Sequence, residues 1–491
     1  MRRWLFLPVD DRPITAQFPA LIAPLGEIEL IVPPRALLGH FLTPGDYSGV
    51  AQWMRQNAQG CEGAILSLDM LALGGLVASR SPATSAQDAL ARLDLIRELK
   101  EAGLRIFASS VVMRLGITGS SSEALRHHQA IHRWSQWVVE PERQADLVQL
   151  ESEIPGAVLA DYKAARERNH QVNRAAIELA AEKLIDFLLL LQEDCTPTGI
   201  HRHEQAMLQA EITRLGAGER VRLLPGTDEG ALLLLSRVAL LGRTPPAITP
   251  VYGREATSYL PAPFEDRPLR ETVELQVEAA GARLGEGNIT LFINTPVQRY
   301  GDAHELASGP HMNLISDGSP KLVSAIARAI KAEQQVALAD VAFANGADAR
   351  FTEALLSRTD WTQLLGYAAW NTAGNTLGTA VAMAILGQIS SGRQPLLHQR
   401  ALLIRLLDDY YYQTLVRTEL NPRLRDAGLS PFNLGEAAHE VSQQAARAMA
   451  EQAAQLARLA SAHRPYRLER FSARLPWPRT FEVELELELS Q

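Results

Sequence analysis

Acidic residues in this chain gather where short apolar runs end. WLFLPV runs into Asp10, Asp11 and Arg12, GAILSL into Asp69, and FLLLLQ into Glu193 and Asp194. VRLLPGT runs into Asp228 and Glu229, QVALA into Asp340, and ITLFI into Asn294. Two carboxyls in one cleft push each other's pKa values apart, so one keeps its proton as an acid while the other stays ionised as a base. That is the minimum equipment for cleaving a glycosidic bond, with an acid on the leaving oxygen and a base or nucleophile opposite. The same oxygens could instead hold Mg²⁺ or Mn²⁺, since hard cations choose oxygen ligands.

The Asp10-Asp11-Arg12-Pro13 segment is the sharpest local signal. Pro13 biases Arg12 to an extended conformation. One aspartate reads as a general acid, base or hydroxyl anchor and the other as a partner for Arg12, against a helix cap or salt-bridged turn. Asp69 is followed by Gly74-Gly75 and Ser79-Arg80. The glycines allow a backbone to approach a ligand closely, match no nucleotide-binding spacing, and fit a tight packing turn equally well. Arg114 can clamp a carboxylate bidentately, more often one of the protein's own acids than a substrate's. Of His127, His128 and His132, the last two have the i,i+4 spacing of a metal-binding pair but lack the intervening glutamate of the protease motif. One histidine is a candidate proton carrier, and His128 joins the substrate-binding candidates with Glu193 and Tyr252. Asn345, Trp370, Asn371 and Asn375 add amides suited to sugar hydroxyls and a flat indole face, in a stretch that also reads as an elaborate helix cap.

Apolar runs of this length read as buried strands. They fall at Trp4–Val9, Ala64–Leu68, Arg105–Val112, Phe187–Gln192, Val221–Leu224, Ile248–Tyr252, Ile289–Asn294 and Val336–Ala339, with a ninth apolar stretch around Leu364–Trp370. Amphipathic helical stretches lie between them, so the expected class is α/β with a parallel sheet. About eight repeats favour a (β/α)8 TIM-like barrel, which gathers strand-end residues at one mouth; the alternative is an open doubly wound parallel sheet. The expected organisation is a barrel domain at 1–390, an α-helical block at 391–464 and a terminal β-hairpin at 465–491.

The chain has 491 residues and a net charge of -8. An acidic balance argues against nucleic acid or anionic membrane as the main partner. No apolar stretch reaches membrane-spanning length, and MRRWLFLPVDDRP reads as a first strand rather than a leader. Two cysteines, Cys61 and Cys195, make neither a disulfide framework nor a thiolate zinc site, so the expected location is the cytoplasm.

LPVDDRP, SLDMLALGGLVASR, QEDCTPTG, LPGTDEG, ANGAD and WNTAGNTLGT occur in this order. Together they resemble an uncharacterised bacterial family, domain of unknown function 4127, from the N-terminus to about Leu386. The resemblance implies a shared fold and cleft, and no reaction. The residues themselves point first to a carbohydrate hydrolase cleaving a glycosidic bond, with no cofactor. Asp228 or Glu229 is the expected proton donor, Asp10 or Asp194 the expected base, and Asp69 a further member of the cleft. Asn294, Asn345, Asn371 and Asn375 would orient hydroxyls; Asp11, Arg12, Arg114 and Asp340 complete the binding set. The alternatives are a divalent metal held by Asp10, Asp69 and Asp228 that activates water, and a sugar or polar-metabolite binding protein without catalysis. The expected partner is a small molecule or oligosaccharide, with a homo-oligomer left open.

Overall fold

Strands buried on both faces carry no polar alternation, which is why they stand out in this sequence as continuous apolar runs. The computed structural model describes residues 1–118, 122–303 and 316–490. Contacts group the chain into two units, Met1–Ala20 with Ile28–Leu234, and Leu21–Glu27 with Leu235–Gln491.

The first unit is built on six parallel strands: β1 (Arg2–Leu7), β2 (Ile28–Ile31), β3 (Gly63–Ser67), β4 (Arg105–Val112), β5 (Phe187–Gln192) and β6 (Val221–Pro225). Their order is β2-β1-β3-β4-β5-β6, parallel throughout. Side chains alternate across the sheet. Leu5, Leu7, Ala64, Leu66, Ile106, Ala108, Leu188 and Leu190 enter one core with Val50, Met54, Ile96, Val172, Ile177 and Leu208 from helices. Trp4, Phe6 and Phe107 are buried as well, with the Trp4 and Phe107 rings edge to face at 5.6 Å.

The second unit carries β7 (Ala247–Tyr252), β8 (Arg283–Leu284), β9 (Ile289–Asn294), β10 (Gly301–Asp302), β11 (Gln335–Asp340), β12 (Phe343–Ala344) and β13 (Gly366–Ala368). Five of them pair in the order β13-β11-β9-β7-β8, all parallel, while β10 pairs with β12. Helices then fill Pro395–Leu406, Arg417–Asp426 and Ala438–Ser461, with a π-helical stretch at Leu407–Val416. The chain closes with an antiparallel pair, β14 (Arg467–Arg474) and β15 (Glu484–Ser490), where Arg470 faces Glu488 and Arg474 faces Glu484.

Each expected apolar run is a strand, yet the strands do not form one ring. Those expected to close a barrel are divided between two sheets with separate edges, so the open parallel sheet is the arrangement these pairings fit. Numbered along the chain within its own sheet, each runs 2-1-3-4-5, and the first adds a sixth strand. In such a sheet the order reverses beside the first strand, and ligands bind outside the carboxyl ends of the strands there. The expected boundary at 390 falls inside the second unit. β2, which the sequence reading missed, is a short edge strand carrying a glutamate.

Close strand approach depends on Gly63, where an added Cβ would lie 2.4 Å from the Arg105 carbonyl oxygen and 2.4 Å from the Trp4 ring. Gly63→Ala is expected to lower stability by about 1–3 kcal/mol. Gly156→Ala, where nothing lies within 4 Å, should change it by less than about 0.5 kcal/mol. Urea unfolding of the two variants checks the contrast.

Candidate active site

Six parallel strands deliver their ends to one edge of the first unit, and the polar residues there sort into two groups. In the first, Arg12 stands between two aspartates. Its Nε donates to both oxygens of Asp10 at 3.1 and 2.9 Å. Its terminal nitrogens donate to the two oxygens of Asp228 at 3.0 and 2.6 Å. All three residues are buried. Asp10 also accepts from the Thr15 hydroxyl at 2.6 Å and from the Arg12 backbone N–H. Burial pushes the Asp10 carboxyl up, against the pull of Arg12. This bridge ties the exit of β1 to the exit of β6, strands that β3, β4 and β5 separate in the sheet.

The bridge bears on two expectations. Asp10 and Asp228, expected as base and proton donor, each give both carboxylate oxygens to the Arg12 guanidinium. Among the described residues Asp10, Asp69 and Asp228 do not converge on one ion-sized point. Glu229 turns away as well: it is buried, and its Oε2 accepts the Thr227 N–H at 2.8 Å, locking the turn above Gly226. Asp11 accepts from Arg35 at 2.7 Å and contacts His40 Nδ1 at 2.8 Å.

The second group lies at the ends of β3, β4 and β5. Asp69 sits in the first turn of the helix Leu68–Leu73, capped by Ser67, and is 2% exposed. Its Oδ2 accepts the Val111 N–H at 2.9 Å. Burial is the main cause that lifts its carboxyl to about 7, and the charge of nearby Glu193 adds to the lift. Glu193 is buried and bonded through Oε1 to Arg80, while its Oε2 has no partner among the described residues. Arg114 pairs with Asp194 at 2.6 Å and approaches Glu193 at 3.8 Å, as the own-acid reading of that arginine expected. Arg114 and Asp194 are the partly exposed members, at 21% and 28%. Among the described residues the Nε atoms of Arg80 and Arg114 are buried without partners.

His128 Nδ1 lies 2.5 Å from the Ile117 carbonyl oxygen. A carbonyl only accepts, so Nδ1 carries the hydrogen and Nε2 the lone pair. Burial, with the Arg114 charge beside it, lowers this imidazole to about 4, and the same two causes lower His132. The glycine pair serves packing rather than a ligand. Gly74 ends its helix at φ +83, and its carbonyl oxygen would lie 2.3 Å from a Cβ on Gly39.

One face of the long helix Gly156–Ala181 holds this group in place. Arg166 donates to the Arg114 carbonyl at 2.8 Å, Asn169 to the Ser79 carbonyl at 3.0 Å and Asn173 to the Val111 carbonyl at 3.2 Å. Tyr162 donates to the Leu115 carbonyl at 3.2 Å. Arg168 fastens the loop around Arg80 through the carbonyls of Ser79, Ser81 and Thr84.

The other expected residues stand in the second unit. Asn294 donates to Asp340 at 2.8 Å and accepts from Ser319 at 2.8 Å. Asp340 also accepts the Asp348 N–H at 2.8 Å, and burial with the Asp348 charge lifts it to about 7. Asn345 donates to Asp302 at 2.5 Å and its N–H reaches the Asn371 carbonyl at 2.9 Å. Asn375 donates to Thr372, the cap of the helix Ala373–Ser390. Trp370 is buried, tilted against Phe481 at 5.4 Å, which leaves no open indole face for a sugar. Tyr252 lies 5.6 Å from the Arg270 guanidinium. The amides of Asn294, Asn345 and Asn375 thus close internal hydrogen bonds, and the N-terminus of that helix is met by Glu265, which accepts the Gly374 N–H.

A family model described as a protein of unknown function (DUF4127) matches residues 4–486. The chain belongs to this family. No curated protein matches it. In this DUF4127 member, sequence reasoning missed the Tyr162, Arg166, Asn169 and Asn173 stripe. Its 4-3-4 spacing within a helical segment was the available signal, since such residues share one face. It also missed Arg405, Asp408 and Asp409, a buried charged group in the π-helical stretch and the helix before it.

Two measurements follow from this geometry. Arg12→Met strands two buried aspartates and should cost about 3–5 kcal/mol, read by chemical unfolding. Between about pH 4 and pH 7 folded Asp69 holds a proton that the unfolded chain has released. Its contribution is therefore largest below pH 4 and is lost as pH rises through 7. Asp69→Asn should gain on wild type in thermal melts from pH 4 to pH 8; a constant difference would contradict the assigned protonation.

Proposed function

We propose that this protein is a hydrolase acting on a carbohydrate, cleaving a glycosidic bond by carboxylate general acid/base catalysis at the ends of β3, β4 and β5. The observation that carries this reading is the pairing of unlike carboxyls. Asp69 keeps its proton to about pH 7, and neighbouring Glu193 has a buried oxygen without a partner. Asp69 is the candidate proton donor to the leaving oxygen. Glu193 is the candidate base or nucleophile, held by Arg80. Asp194 and Arg114 form the solvent-facing side. Roles first assigned to Asp10, Asp228 and Glu229 pass to this pair because Arg12 takes up both oxygens of Asp10 and of Asp228, whereas Glu193 keeps one oxygen unmet among the described residues. The order reversal beside β1 supports a ligand site at this edge of the sheet.

The test is a screen of aryl-glycosides against the wild type, Asp69→Asn and Glu193→Gln, each with and without a chelator. The expected result is turnover that survives chelation, falls as pH rises through about 7, and drops roughly 10²–10⁴-fold in either variant. Loss on chelation would replace this reading with metal-activated water, and sugar binding without turnover would replace it with a binding protein.

A further inference from the structure

We propose that the ligand of the Asp69–Glu193 site is a hydroxylated carboxylate, a sugar acid of the hexuronic type. Arg80 and Arg114 would receive its anionic oxygens, and Glu193 would accept from one of its hydroxyls. This rests on the carbohydrate reading above and narrows it to charged sugars.

Three buried polar atoms lack partners among the described residues: the Nε donors of Arg80 and Arg114, and the Oε2 acceptor of Glu193. A buried donor or acceptor left unmet is costly, so the complement of this trio is two acceptors and one donor. A neutral sugar hydroxyl answers Glu193. Guanidinium N–H groups are better answered by a carboxylate, whose oxygens accept charge-assisted bonds.

The local charge points the same way. Arg80 pairs with Glu193 and Arg114 with Asp194, which leaves Arg168. Among the described residues its hydrogen-bond partners are all neutral: three carbonyls and the Asn169 amide oxygen. The one carboxyl whose charge would offset it, Asp69, keeps its proton near neutrality. An arriving anion therefore enters a group with an excess positive charge, and its own charge would help Asp69 retain the proton. His128 and His132 stay neutral. Entry from solvent is along Arg114 and Asp194, the part-exposed members.

The experiment is calorimetric titration of the full chain, below neutrality, with D-glucuronate, D-galacturonate, D-glucose and inorganic phosphate. At least one uronate should bind about 10-fold or more tightly than glucose and than phosphate. Arg114→Gln should lose about 10–100-fold of that affinity, the span of one charge-assisted pair, and Arg114→Lys should recover part of it. Equal binding of glucose, or preferential binding of phosphate, overturns the proposal. If Arg114→Gln does not fold by circular dichroism, the ranking on wild type decides alone. The hydrolase reading fails separately. Uronate preference without turnover of any aryl-uronide or neutral aryl-glycoside keeps the ligand and removes the reaction. Turnover of neutral aryl-glycosides with no uronate binding does the reverse.

Discussion

A parallel sheet covered on both faces gives polar side chains no place except its ends. Every charge at those ends must then find a counter-charge or a hydrogen bond, because bare charge in a buried site is not tolerated. In the first unit this constraint selects among the acids. Asp10 and Asp228 meet it by sharing Arg12. Glu229 meets it by folding back on its own turn. Asp69 accepts from backbone N–H groups, with no ion pair among the described residues, and meets the constraint by keeping its proton.

The same rule separates scaffold from chemistry. The Arg12 bridge spends the donors of one guanidinium on four carboxylate oxygens, and such a knot is specific but inert. The Arg80, Arg114, Glu193 and Asp194 group is less complete, with three buried atoms unmet among the described residues. A charged network left incomplete offers a ligand partners that a closed one does not. Helix Gly156–Ala181 holds that incompleteness in place by grasping the carbonyls of Ser79, Val111, Arg114 and Leu115 instead of the charged groups themselves.

The sequence was legible in proportion to how local each signal was. A run such as FLLLLQ announces a strand, and its exit announces Glu193, because both facts lie within a few residues. What strand runs do not state is which strand is the neighbour of which. Two successive sheets of order 2-1-3-4-5 produce the same alternation of strands and helices as one closed ring, and the count of strands could not tell them apart. Asp228 likewise looked like a free acid because its partner, Arg12, lies 216 residues earlier. Trp370 looked like a sugar platform because Phe481, which covers it, lies in the terminal segment. Arg114 could be read only as a clamp for some carboxylate, because Asp194, with which it pairs, lies 80 residues later.

Residues Leu21–Glu27 are the part of the early chain that belongs with the second unit. Glu27 is bridged by Arg243 and Arg393, each at 2.7 Å, and the Pro24 carbonyl accepts from Gln394 at 2.6 Å. During synthesis this loop leaves the ribosome long before any of the groups that hold it. These seven residues are thus made well before Arg243, near the middle of the chain, and Arg393 and Gln394, further on, exist to hold them. Order of manufacture and order of consolidation are thus opposed for these seven residues.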